Sequence, residues 1–177
     1  MSTWKKGILP GYAADLKDND MIEYKKKISF IGWDPYEMKP TDFSSNDLTT
    51  WPTIEHGDIV NYLVLTTNAV TLDQMKAYKS LDAHNYLTSG FIHRDILSRA
   101  VRNDLILLVG KVRIFVNHSQ NLRQPALVVW VLAKKNGEAI TGHCNCMAGQ
   151  SSSCSHVGAI LFAIAEGIKI RKLPDMY

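Results

Sequence analysis

Apolar positions change their period along this chain, and each change marks an element. From Cys154 or Ser155 to Ile168 they recur at helical spacing, with Val157, Ile160, Leu161, Ile164 and Ile168 forming one stripe suited to a sheet. Gly158, Ala159, Phe162 and Ala163 lie on the opposite side, so this helix needs cover on both faces. The cover has three candidate sources: a helix at 72–88, the Trp-bearing N-terminal segment, or a partner. Upstream, Leu105–Val116 is rich in Leu, Val, Ile and Phe and alternates in its later part, which predicts a strand. Ala126–Lys134 is a second β-branched apolar run. Asn136-Gly137, a pair able to take positive φ, then predicts a hairpin whose return strand, Glu138–His143, leads into Cys144. Arg102-Asn103-Asp104 reads as a turn, while Phe91–Ala100 fits a strand or a short helix equally well.

Thr71 and Gln74 have capping-box spacing, and a helix is predicted from Leu72 to about Thr88 with Gly90 as its stop. Residues 1–53 are punctuated by Pro10, Pro35, Pro40 and Pro52 and read as an irregular segment. Its tryptophans, Trp4, Trp33 and Trp51, are too apolar for a solvated tail and predict docking against residues 54–177. Lys25-Lys26-Lys27 reads as a solvated face. The fold class predicted is α+β: a small antiparallel sheet with a C-terminal helix, preceded by a helical and irregular N-terminal region.

At 46% hydrophobic and 21% charged, the 177 residues exclude collagen-like, disordered and disulfide-dense classes. No apolar run reaches the roughly 18–20 residues of a membrane span. Met1-Ser2-Thr3-Trp4-Lys5-Lys6 has no apolar region behind its charges, so an intracellular protein of nucleus or cytoplasm is expected. Residues 104–177 carry eight Lys/Arg against four Asp/Glu, whereas residues 1–103 are nearly balanced. Such a half is suited to meeting phosphates without being a basic arm.

All three cysteines lie within eleven residues, in Cys144-Asn145-Cys146 and Cys154-Ser155-His156. An odd, clustered set is a poor disulfide framework and a good metal site. Zinc takes four soft or borderline ligands in a tetrahedron, and Cys144, Cys146, Cys154 and His156 supply four. The first pair sits where a strand ends, the second where a helix begins and free N–H groups favour thiolate. Four protein ligands leave no open position, so one structural Zn²⁺ is predicted. His143 faces away from Cys144 if the strand continues to that point.

No enzyme is predicted. The nearby cysteines explain Cys154 and His156 better as ligands than as nucleophile and base. Glu23-Tyr24-Lys25 matches only a fragment of a nuclease motif, and no Gly-rich phosphate loop signals a small-molecule substrate.

The pattern C-x-C-x7-C-x-H followed by an apolar helix resembles the SWIM-type zinc finger, a module of Snf-type helicase-like ATPases and Mutator-type transposases. The resemblance extends to Asp34-Pro35-Tyr36, Asp58-Ile59-Val60-Asn61-Tyr62-Leu63, Lys76–Leu81, Gly110-Lys111-Val112, His118-Ser119-Gln120, His143–Gly149 and Cys154–Val157. These are similar to the segment preceding YqaJ-like recombinase nucleases in invertebrate and fish proteins. The chain ends at Tyr177, before any such nuclease, so nuclease activity is not carried over. The resemblance implies the same four ligands and a DNA- or protein-binding role. The function expected is therefore a zinc-binding accessory module for nucleic acid, with Lys134, Lys135, Lys169, Arg171 and Lys172 as candidate contacts. The alternative is a protein-interaction module of a larger recombinase- or transposon-related protein.

Overall fold

The computed structural model describes residues 7–65, 84–85, 87–90, 92, 95–113, 125–147 and 152–173. They form a five-stranded antiparallel sheet in chain order: β1 (Ser44–Ser45), β2 (Leu97–Arg102), β3 (Leu105–Val112), β4 (Leu127–Lys134) and β5 (Ala139–Cys144). The helices are α1 (Asp18–Ser29), α2 (His56–Val60), which runs into a π-helical turn at Asn61–Leu65, and α3 (Ser155–Lys172). Short 3-10 turns at Tyr12–Asp15, Pro35–Glu37, Pro40–Asp42 and Leu48–Thr50 fill the N-terminal segment.

Turn chemistry sets the register. Asn103 takes φ +52° between β2 and β3, and Gly137 takes φ +105° between β4 and β5. Gly137 is also pressed against residue 53: a Cβ there would lie 2.3 Å from the Thr53 carbonyl oxygen. Only glycine meets both demands. The hairpin then pairs Trp130 with His143 and Val129 with Cys144. The ambiguity at 91–100 resolves as strand from Leu97 onward.

β3 and β4 are apolar on both faces because both faces are covered. Ile106, Leu108, Val129 and Val131 share a core with Val157, Ile160, Leu161 and Ile164 of α3. Leu107, Val109, Trp130 and Leu132 share the other core with Ile8, Tyr24, Ile31 and Tyr36. The chain itself also covers the far side of α3. Trp51, Ile54, Ile59 and Tyr62 belong to the α3 core, and Gly167 lets the Trp51 ring close on the helix, since a Cβ there would sit 2.5 Å from Cζ3. The rings of His84 and Phe162 are 5.6 Å apart. α3 continues one turn beyond Ile168, and Arg171 Nη1 ties that turn to the carbonyls of Leu48 (2.9 Å) and Trp51 (3.1 Å).

Lys25 and Lys26 are exposed as expected, but Lys27 is not. At 7% exposure it lies under the sheet, because its place one helical turn after Tyr24 puts it on the same buried face of α1. Of the helix expected at 72–88, residues 84–85 and 87–88 are helical and Gly90, at φ +72°, ends it; 66–83 and 86 lie outside the described residues. His118 and Ser119 also lie outside them. Among the described residues no helix is long and apolar enough to cross a membrane.

Candidate metal centre

β5 carries Cys144 to the edge of the sheet, and the chain turns directly through Asn145 and Cys146. Asn145 makes that turn stick: its Oδ1 accepts from the Val128 N–H (2.8 Å) while its own N–H donates to the Val128 carbonyl (3.4 Å). The middle residue of C-x-C thus takes over where the β4–β5 ladder stops. Cys154 is the N-cap of α3, and His156 lies in the first turn. The ligand atoms of Cys144, Cys146, Cys154 and His156 all lie within 4.8 Å of one another. A tetrahedron with bonds of roughly 2.0–2.3 Å has edges of roughly 3.3–3.8 Å, so the quartet needs to contract by about an ångström at its widest to close on one ion. Two ligands are buried and two half-buried, and three sulfurs with one imidazole form a zinc-type donor set. The residues fit.

The thiols also act on one another. Hydrogen bonds donated by Cys144 and Cys154, aided by His156, hold the Cys146 thiol far below its ordinary value. The same bonding, together with burial, pushes Cys144 far up. Burial works to lower His156, but its bonds to Cys146 and Cys154 and their charges prevail, raising it to about 9.

His143 turns the other way, as strand alternation predicts. Its Nε2 is 2.8 Å from the Tyr12 hydroxyl and its Nδ1 is 3.2 Å from Lys27 Nζ. Burial, reinforced by Lys27, lowers its pKa to about 3, so the ring is neutral. An ammonium only donates, so Nδ1 accepts from Lys27, and Nε2 carries the proton and donates to the Tyr12 oxygen. Burial in turn lowers Lys27 to about 8 and raises Tyr12 to about 12.

Sequence reasoning did not find this supporting shell. Tyr62 donates to the Ser152 carbonyl (2.7 Å), which holds the backbone two residues before Cys154. Tyr36 donates to the Val128 carbonyl (2.8 Å), the acceptor that Asn145 also uses. Asp34 accepts from the Tyr24 hydroxyl (2.7 Å) and the Tyr36 N–H (2.9 Å), fixing both rings. A signal was present in Asp34-Pro35-Tyr36 and the Asp58–Leu63 run, which both belong to the stretches that carry the family resemblance.

The five candidate cations are divided among two cavities and three ion pairs. Lys135 and Arg171 line one cavity, whereas Lys169 and Lys172 line another with Glu55 and Glu166. Lys134 pairs with Glu138, Lys169 with Glu166 and Lys172 with Glu55. Glu23 and Lys25 are exposed on α1 while Tyr24 is buried, and the acidic residues of α1 are not among the potential metal ligands found in the described residues. Comparison of the chain with family models, curated proteins and solved structures finds no match.

Proposed function

We propose that the quartet binds one structural Zn²⁺ in a centre similar to a SWIM-type finger, and that the chain is a non-catalytic module for nucleic acid, DNA foremost. One observation carries this reading: the quartet joins a strand end to a helix start and closes at four protein ligands. A site so filled pins secondary structure and offers substrate no coordination position. The ion's role here is to neutralise the thiolates and fix the β5 end against α3. The excess of Lys/Arg over Asp/Glu in residues 104–177 supports a phosphate-bearing target. Three thiols that must stay reduced suit the nucleus or cytoplasm.

The protein-partner alternative drew its motive from a helix apolar on both faces. His56 and His84 of the same chain lie against Phe162 on that second face, so the apolar face by itself is a weaker motive for a partner.

The test joins metal analysis of the purified chain to a fluorescence-anisotropy titration with single- and double-stranded DNA and RNA over a salt series. One zinc per chain and binding that weakens steeply with salt support the reading. A metal-free folded protein refutes the centre, and absence of binding at low salt refutes the nucleic-acid role.

A further inference from the structure

A cleft of about 1,020 Å³ opens between the 41–53 segment and strand β2. Three cations line it, Arg99 from β2, Lys135 from the β4–β5 turn and Arg171 from the end of α3, against one carboxylate, Asp42. Six Ser and Thr side chains complete a predominantly polar wall. These cations stand far apart in sequence and reach the cleft from two sides: Arg99 is in phase with Leu97 on the Trp33 face of β2, whereas Arg171 comes from α3 on the other face. Asp42 is already engaged, its Oδ2 accepting from the Lys39 N–H (3.1 Å).

Two of the cations are held in place. Arg99 donates through Nη1 to the Asp42 carbonyl (3.3 Å), and its guanidinium carbon lies 5.1 Å from the centre of the Trp33 ring. Arg171 is fixed by the Leu48 and Trp51 carbonyls. A guanidinium has five N–H donors, more than these bonds use, and its planar fork matches a phosphate. Fixing the fork beforehand removes part of the ordering cost of binding. The second cavity differs: it is walled by Ile59, Val60 and Phe162, and the acidic partners of Lys169 and Lys172 sit in the same lining.

We propose that this cleft seats the backbone of a single-stranded nucleic acid, with Arg99, Lys135 and Arg171 on its phosphates. The proposal rests on the nucleic-acid reading above and assigns its site. The volume stands at the upper end of the roughly 300–1,000 Å³ of small-ligand pockets, far more than one phosphate fills. A duplex presents its phosphates on a convex cylinder, whereas a cleft admits an unpaired strand. Phe43, half-buried against the second core, closes the wall on that side.

The experiment uses the full zinc-loaded chain and a fluorescein-labelled oligothymidine of about 12 nucleotides, a length within known single-strand site sizes. Anisotropy is read over a salt series for wild type, Lys135→Gln, Arg99→Gln and the Lys169→Gln/Lys172→Gln pair. Each cleft variant is expected to weaken binding about tenfold and to shallow the log–log salt slope by about 0.7. The paired variant is expected to stay within about twofold of wild type at each salt concentration. Lys135→Gln keeps the result readable should Arg99→Gln disturb packing, because residue 135 is exposed and makes its turn contacts through its backbone, to Asp104 and Thr53. Wild-type binding left unchanged by Lys135→Gln and lost in the Lys169/Lys172 pair overturns the cleft while the broader reading stands. No binding by wild type overturns both.

Discussion

His143 and Cys144 are neighbours on β5 and serve opposite sides of the sheet: Cys144 enters the quartet beneath α3, and His143 is gripped by Tyr12 and Lys27 of the N-terminal segment. The segment's Tyr36 reaches the same strand end through the Val128 carbonyl. The candidate metal centre and the N-terminal segment are thus two braces on one piece of backbone.

Removing one ligand is expected to unfold the β5–α3 unit. Metal binding by structural fingers amounts to about 10–16 kcal/mol, comparable to the whole stability of a domain at about 5–15 kcal/mol. Cys144→Ser and Cys154→Ser should lose cooperative thermal unfolding, and a chelator should do the same to wild type. Native amide dispersion in either metal-free variant would falsify the structural role.

Tyr12→Phe should destabilise by about 1–3 kcal/mol, because it strands a buried N–H of His143. Zinc content should not change, since the imidazole faces away from the quartet. Urea midpoints and metal analysis of the same sample separate the two effects. A drop in zinc content would place His143 within the centre.

Lys27 makes stability depend on pH in a defined window. Its pKa falls from 10.5 in the unfolded chain to about 8 in the fold, by burial. Below about pH 8 both states hold the proton and the full penalty of burying the charge applies. Between about 8 and 10.5 the unfolded state holds more protons, so stability rises with pH. Relative to Lys27→Met, wild type should gain on the order of 1–2 kcal/mol between about pH 7.5 and 9.5. Parallel urea curves for the two proteins at both pH values would contradict the burial.

Gly167→Ala should cost about 1–3 kcal/mol, since the added carbon meets the rigid Trp51 ring, with Cζ3 at 2.5 Å and Cε3 at 3.1 Å. Gly110→Ala meets Ile160 Cδ1, the movable end of a side chain, also at 2.5 Å, and should cost less. Thermal melts rank the two. Tryptophan emission should shift in the Gly167 variant as Trp51, now 7% exposed, is displaced. Equal costs would show that the Trp51 contact yields as easily as an aliphatic tip.

What the chain determined by itself is local. Asn136-Gly137 sets a hairpin because its backbone angles suit few other residues, and the α3 stripe follows from a period of 3.6. The quartet was legible because C-x-C and C-x-H bring donor pairs close through neighbouring residues, whatever the rest of the chain does. Asn145, lying between two ligands, drew attention only as a spacer, because its partner Val128 is seventeen residues upstream. Tertiary structure decided the remainder. Tyr62 reaches Ser152 across 90 residues and Tyr12 reaches His143 across 131. Pairings over such separations depend on which sheet face each segment covers, and periodicity alone does not encode that choice. Lys27 shows the reason most plainly. Its sequence neighbours Lys25 and Lys26 are solvated, and only the docking of α1 on the outer face of β4 and β5 turns the third lysine of the run toward a histidine.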